Sequence, residues 1–228
     1  TYSRVYKLLY YGSLELEKKI DHKPALIITC DQDYANGPSV ARKILSYYGA
    51  ERCAIIEVDS YYKDLKHLTM QEREKTNFDH PDSIDFDLMI NHLEKFLEGT
   101  EINLPVYDYK THTRTALTKN IKSQNIIIIE GLFSLFKQRI RDFMSIKVFV
   151  DTDNKTRLAR RIKRDMKYRK RTYESIISQY NNNVKPMYDN YIEPSKKFCN
   201  LIIEGGVKNT VAMEQLIAKI TYTNNNII

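Results

Sequence analysis

A stretch early in the chain, residues 30–39, decides whether the protein can bind the phosphates of a nucleotide. An apolar run, 25–29, precedes this stretch, and a helical pattern, 40–48, follows it. A strand, a turn and a helix in this order are the setting of the phosphate-binding loop, whose motif is G-x-x-x-x-G-K-[ST]. In that motif, backbone N–H groups at a helix N-terminus surround the phosphates, and the lysine neutralises their charge. A complete motif here would predict nucleotide binding.

Two of the four defined positions of this motif are lost, and only Gly37 and Ser39 fit it. Gln32 stands at the position of the first glycine, and Pro38 stands at that of the lysine. Glutamine adopts positive φ less readily than glycine, and proline has no N–H to donate. Two aspartates of the loop add charge that repels phosphate. What remains is an ordinary helix start with a capping residue, so we expect ATP and magnesium to bind weakly or not at all.

Carboxylates stand where two other apolar runs end. Asp59 follows the run 53–58, and Glu130 ends the run 126–130. Ligands of open α/β sheets bind beyond the carboxyl ends of the strands, where a carboxylate can act as a general base or as a magnesium ligand. The alternative role for Asp59 is that of a helix cap.

Three further polar clusters lie at 77–85, 107–114 and 157–171. The first is rich in aspartate and can bind hydroxyl groups, although it also has the residues to cap a following helix. The second combines aromatic side chains with a histidine, which suits stacking on a base. The third repeats arginine at helical spacing, which suits polyphosphate or RNA; its alternative is a solvated helix face.

The elements that must position these groups alternate along the chain. Strands are predicted at 26–30, 53–58, 126–130, 146–150 and 201–204. Helices are predicted at 40–48, 86–97, 155–166, 173–190 and 211–220. This alternation favours an α/β fold, a doubly wound parallel sheet with helices on both faces, and a β-hairpin is predicted as an insertion at 102–109.

The predicted domain, residues 25–220, has an extension at each end. Residues 1–24 carry apolar side chains at roughly helical spacing, which predicts an added arm. A solvated arm would expose an apolar stripe, so we expect it either to dock on other protein subunits or to fold back on its own sheet. Residues 221–228 are predicted to form a loose polar tail.

The composition is that of one domain without a membrane span. The chain has 228 residues and a net charge of +7, and no apolar run approaches the roughly 18 residues that a membrane helix needs. The positive charge suits an anionic ligand, nucleic acid or an acidic partner. Three scattered cysteines predict buried thiols in a reducing compartment rather than a metal site. We therefore expect an intracellular protein, in the cytoplasm or, if Thr1 follows a processing site, in mitochondria.

Together these segments closely resemble the uridine–cytidine kinases, from about residue 25 to residue 220. The motifs that carry the resemblance are D-S-Y-Y at 59–62, N-F-D-H-P-D at 77–82, P-V-Y-D-Y at 105–109, E-G at 130–131, R-R at 160–161 and R-D at 164–165. The resemblance implies a P-loop kinase fold with a hairpin beside the nucleoside site. It also implies a reaction that moves the γ-phosphate of ATP to a nucleoside 5′-hydroxyl with magnesium.

The same resemblance implies roles for individual residues. Asp59 corresponds to the base for the 5′-hydroxyl. The implied nucleoside-binding residues are Asp82, Tyr107, Tyr109, His112, Arg161 and Gln179. The implied phosphate and lid residues are Gly37, Ser39, Arg164, Arg169 and Arg171. Ser39 and Glu130 correspond to the magnesium neighbourhood.

The altered loop separates three functional interpretations. The first is a kinase homologue that has lost effective phosphoryl transfer and serves as a structural or nucleoside-binding subunit of a larger assembly, without bound ATP or magnesium. The alternative is an active uridine/cytidine kinase of pyrimidine salvage, in which Lys43 or the lid arginines replace the missing lysine. A second alternative is RNA binding through the basic segment, which is disfavoured because the resemblance already accounts for those arginines.

Overall fold

The structure is a computed structural model that describes residues 39–225 and the backbone of residues 26–30. The predicted arm at 1–24 lies outside the described residues. The phosphate loop at 31–38, which includes Gly37, also lies outside them, so the predictions for both segments stay predictions.

The described strands form a parallel central sheet and a separate antiparallel hairpin. The strands are β1 (Leu26–Cys30), β2 (Cys53–Glu57), β3 (Ile102–Asp108), β4 (Thr113–Ile121), β5 (Ile126–Glu130), β6 (Ile146–Asp151) and β7 (Leu201–Glu204). Within the described part of the chain, the central sheet has the order β2-β5-β1-β6-β7, and its strand pairs are parallel. The predicted parallel sheet is confirmed.

Helices connect the strands. They are α1 (Val40–Tyr48), α2 (Met70–Glu74), α3 (Phe86–Leu97), α4 (Gln138–Phe143), α5 (Asn154–Arg169), α6 (Tyr173–Gln179) and α7 (Thr210–Asn225). After α6 the chain stays helical through π turns at Tyr180–Val184 and Tyr188–Ile192, with one α-helical turn between them. Among the described residues, no helix is long and apolar enough to cross a membrane.

The sheet is buried on both faces, as a doubly wound fold requires. On one face, Ile127 and Ile129 of β5 pack in a cluster with the buried residues of α3. On the other face, Ile126 and Ile128 pack in a second cluster with residues of α1 and α7. Because successive side chains of a strand point to opposite faces, a strand covered on both sides needs an uninterrupted apolar run.

The base of the hairpin packs in the first of these hydrophobic clusters. The residues Ile102, Leu104 and Ile121 at its base are buried there, and β3 pairs with β4 in antiparallel register. Its turn lies between Asp108 and Thr113. The prediction of a hairpin was right, and β4 extends it well beyond the predicted residues.

The helix α7 continues through Asn225, so residues 221–225 of the predicted loose tail are helical, and the rest of that tail lies outside the described residues. The Tyr48 hydroxyl of α1 donates to the Ile217 carbonyl at 3.0 Å and lies 2.7 Å from the Thr221 hydroxyl oxygen. Residues 221–225 have little apolar patterning, so periodicity gave no sign of this extension. The contact between α1 and α7 stabilises the added turn.

Candidate active site

The carboxylate of Asp59 lies at the carboxyl end of β2, in the 3₁₀ turn Val58–Tyr61. The pKa of Asp59 is raised to about 6, mainly by burial and also by the charges of Glu57, Glu130 and Asp79, while a hydrogen bond from Tyr109 opposes the shift. A carboxyl group whose pKa lies near the working pH is suited to take a proton from a substrate hydroxyl. This geometry agrees with the base role that the resemblance implies.

Glu130 and Ser39 form an oxygen-lined position beside Asp59. Ser39 caps α1 by accepting a hydrogen bond from the Arg42 amide at 3.2 Å. Burial raises the pKa of Glu130, and a hydrogen bond from the Ser39 side chain lowers it. Among the described residues, no three or more histidine, cysteine or acidic side chains are arranged so that they could hold a metal ion together. Such a sparse oxygen set fits Mg²⁺, which usually binds one or two carboxylates together with waters and phosphates.

The glycine after Glu130 lets these two carboxylates approach each other. Gly131 has φ +146, and a Cβ built on it would lie 2.6 Å from Cβ of Val58. Real Cβ atoms do not come that close, so a larger residue would push the Val58–Tyr61 turn away from β5. The E-G pair of the sequence motif therefore has a packing reason in addition to the chemistry of its glutamate.

Asp82, the predicted ribose-binding carboxylate, is not brought into this cluster. Its side chain is 87% exposed and lies 3.5 Å from the His80 ring. Pro81 begins a 3₁₀ turn whose first amide is capped by His80, and this turn leaves Asp82 at the surface. The structure therefore leaves Asp82 apart from Asp59, and its predicted contact with the nucleoside stays a prediction.

Asp79, in the same segment, is the carboxylate that lies near both Asp59 and the arginines. Burial raises the pKa of Asp79, and the charges of Arg161, Arg164 and Arg169 lower it. Asp79 also acts on the pKa of Asp59, so it lies between that carboxylate and the arginines. Both aspartates belong to one motif, and spacing along the chain gave no means of choosing between them.

The predicted base-recognition residues Tyr107, Tyr109 and His112 form one side of the cleft, here called the hairpin wall. The Tyr107 ring lies 5.4 Å from the Tyr109 ring and 5.1 Å from the ring of Tyr62. The His112 ring stacks on Phe78 with 4.9 Å between centroids and 16° between planes. Tyr107 is buried, and its hydroxyl has no hydrogen-bond partner among the described residues. A buried hydroxyl usually has a hydrogen-bond partner, so this one is a candidate for a partner that the chain itself does not supply.

The opposite side of the cleft is an arginine cluster arranged around Asp165. The side chain of Asp165 is fully buried, and Arg164 donates to it at 2.7 Å. Three other guanidinium groups lie within 4 Å of it, those of Arg161, Arg169 and Arg171. Burial raises the pKa of Asp165, but the hydrogen bond from Arg164 and the charges of the arginines hold it below its usual value. Sequence reasoning recorded the R-D pair and missed that Asp165 organises the whole cluster.

Gln179, predicted as a nucleoside contact, belongs to this cluster. Its side-chain oxygen accepts hydrogen bonds from Arg161, at 3.2 Å, and from Arg171. The structure thus places Asp59 beside Tyr109 of the hairpin wall and, through Asp79, near the arginine cluster that includes Gln179. Substrate roles for these residues stay predictions.

Comparison with known proteins agrees with this arrangement at two levels. In fold, the chain is similar to phosphoribulokinase from Rhodobacter spheroides, with a TM-score of 0.60 and 13% identity, covering 80% of this chain and 70% of that one. It is also similar to a possible uridine kinase from Bacillus stearothermophilus, with a TM-score of 0.51 and 13% identity, covering 83% and 94%. The fold is that of the P-loop kinases.

In sequence, the family described as Phosphoribulokinase / Uridine kinase family matches residues 35–212. A uridine kinase of Streptococcus thermophilus LMD-9 is 47% identical over 198 residues, which cover 87% of this chain and 94% of that protein. A uridine kinase of Streptococcus pneumoniae Hungary19A-6 is 45% identical over 201 residues, covering 88% and 95%. The chain belongs to the phosphoribulokinase/uridine kinase family.

Proposed function

We propose that the protein is a uridine/cytidine kinase that transfers the γ-phosphoryl group of ATP to the 5′-hydroxyl of the nucleoside. The observation that carries this proposal is Asp59, a carboxyl group with a raised pKa at the carboxyl end of β2, between the hairpin wall and Asp79. The names of the relatives, which match nearly their whole length, support the same reaction.

In this reaction Asp59 accepts the proton of the 5′-hydroxyl as the oxygen attacks the phosphoryl group. With a pKa of about 6, Asp59 is mostly ionised at neutral pH and is still basic enough to accept a proton. The Tyr109 hydroxyl, which hydrogen-bonds Asp59, orients the carboxylate. The hairpin wall stacks on the pyrimidine, and the Tyr107 hydroxyl offers a hydrogen bond to the nucleoside.

The arginine cluster supplies positive charge on the other side of the transferred group. Phosphoryl transfer depends mainly on positioning and on charge stabilisation. The charges of Arg161, Arg164 and Arg169 already lower the pKa of Asp79, so their field reaches the Asp59 side of the cleft. Magnesium, bound together with ATP, would be held by Ser39 and Glu130 and would neutralise phosphate charge. In this proposal the arginines take over part of the task of the lysine that the loop lacks.

A second candidate function is nucleoside binding without phosphoryl transfer, in a structural or sensing subunit. The observation that favours it is the loop sequence, in which Gln32 and Pro38 replace the glycine and the lysine of the motif. Removing one charge-stabilising donor typically lowers a rate by about 100- to 1000-fold. Docking through residues 1–24 belongs to this candidate. RNA binding is disfavoured further, because four arginines of the basic segment are directed to Asp165.

Two measurements on the full chain separate the candidates. ADP release is followed with ATP–Mg and uridine or cytidine, and calorimetry measures ATP–Mg and uridine binding separately. The kinase proposal predicts nucleoside-dependent ADP release and binding of both ligands. Uridine binding without ADP release or ATP binding would support the second candidate, and binding of neither ligand would contradict both.

A further inference from the structure

Arg73, on α2, donates hydrogen bonds to three backbone carbonyl oxygens. Its Nε donates to Leu68 at 3.0 Å, and its Nη2 donates to Lys66 at 3.0 Å. Its Nη1 donates to Thr111 at 3.1 Å. The first two bonds hold the guanidinium on its own loop, so the third ties this loop to the turn of the hairpin.

The carbonyl that Arg73 holds belongs to the same peptide unit as the amide nitrogen of His112. His112 has φ +51, in the left-handed region that residues other than glycine seldom adopt. Such a conformation persists only where the surroundings impose it. Rotation about φ of His112 would turn the Thr111 carbonyl away from Arg73, so the hydrogen bond opposes the return of His112 to a relaxed conformation.

Contacts on the other side of His112 complete the restraint. The Thr113 hydroxyl donates to Asp64, which also accepts a hydrogen bond from the Lys66 amide. Arg114 donates to the carbonyls of Tyr62 and Tyr61. With these neighbours fixed, the imidazole of His112 can lie flat on Phe78.

We propose that Arg73 is a positioning residue for nucleoside recognition, which holds the hairpin turn so that His112 stays stacked on Phe78 at the cleft. This inference rests on the proposed function, because it assigns the restraint to the nucleoside side of the site. A planar guanidinium can present N–H groups to three carbonyls at once, whereas an ammonium group is a compact charge on a flexible stem. The geometry therefore requires arginine and not merely a positive charge.

The test compares Arg73→Ala and Arg73→Lys with the wild type in steady-state kinetics. We expect Arg73→Ala to raise the KM for uridine about tenfold, the effect of losing one hydrogen bond to a charged group, and to leave the KM for ATP unchanged. Arg73→Lys should recover only part of the loss. Arg139→Ala is the matched control, since Arg139 joins α4 to Glu94 of α3, outside the cleft, and it should leave the KM for uridine unchanged.

A second readout does not depend on turnover. The chain has five histidines, so the ring protons of His112 can be assigned by NMR with a His112→Gln variant, and stacking on Phe78 shifts them upfield. Arg73→Ala should move these signals towards free histidine. If the protein lacks kinase activity but Arg73→Ala still shifts the His112 signals, the proposed function is refuted and the restraint on His112 is retained. Unchanged signals and an unchanged KM for uridine in Arg73→Ala would overturn the inference; if that variant does not fold, Arg73→Lys decides by the same two measurements.

Discussion

Different kinds of interaction hold each of the two sides of the cleft in place. On the hairpin side, hydrogen bonds from Arg73 and Arg114 to backbone carbonyls and the stacking of His112 on Phe78 fix the hairpin wall. On the arginine side, one buried carboxylate, Asp165, gathers four guanidinium groups. Aromatic rings suit a neutral pyrimidine ring, whereas guanidinium groups suit phosphate oxygens. The contrast is between an aromatic surface held by contacts to the backbone and a charged surface held by one buried carboxylate.

Asp59→Asn removes the group between the two sides and should have the largest effect. We expect kcat for uridine phosphorylation to fall about 1000-fold, because a general base contributes about 10²- to 10⁴-fold. Coupled measurement of ADP release gives kcat. Asp87→Asn, at an exposed position in the first turn of α3, is the matched control and should keep wild-type kcat. Equal rates for Asp59→Asn and the control would remove Asp59 from the mechanism.

Asp165→Asn tests whether the stability of the arginine side depends on the charge of one carboxylate. Removing one partner of a buried ion pair costs about 3 kcal/mol or more, so the free energy of unfolding in urea at neutral pH should fall by about that amount. Asp189→Asn breaks the exposed Lys185–Asp189 pair and should cost less than about 1 kcal/mol. Because the folded-state pKa of Asp165 is lowered, its contribution is present at neutral pH and is lost as the pH falls through that pKa. Similar losses in both variants would contradict this account.

Asp79→Asn and Asp82→Asn test the assignment of the carboxylate that links the two sides. Asp79 lies between Asp59 and the arginines, so its loss should raise the KM for uridine about ten- to a hundredfold, the range for a charged hydrogen bond. The exposed Asp82 should change it less than about twofold. A larger rise in the KM for uridine in Asp82→Asn than in Asp79→Asn would assign the nucleoside contact to Asp82.

The pH dependence of turnover should show the smallest of these effects. Because the pKa of Asp59 is raised to about 6, its ionised form prevails at pH 7 and is the minor form at pH 5. We expect kcat/KM for uridine to fall about tenfold between these values, since only the carboxylate can accept the proton. The residual kcat/KM of Asp59→Asn should not fall in this way between pH 7 and pH 5. A wild-type profile that stays flat to pH 5 would place the pKa of Asp59 near its ordinary value.

Local sequence patterns predicted most of the elements that position the site. The bounds of β5 were predicted correctly because its apolar run is uninterrupted, and those of α1 and α3 because Ser39 and Asp85 cap them. The helices α2 and α4 were not predicted, since five or six residues are too few to show a period. The family resemblance selected segments that the structure places near one another, but it named Asp82, which is exposed, whereas Asp79 lies near Asp59 and the arginines.

The sequence by itself determined the parallel sheet, the end of each strand at which the carboxylates stand, and the family. These properties follow from side-chain periods of two and 3.6 residues and from motifs read along the chain. Only the tertiary structure decided which groups meet. Arg73 reaches a carbonyl 38 residues further along the chain, and Asp165 becomes the centre of the arginine cluster because α5 turns its buried face to the cleft. Such contacts depend on the directions of distant elements, which no local pattern encodes.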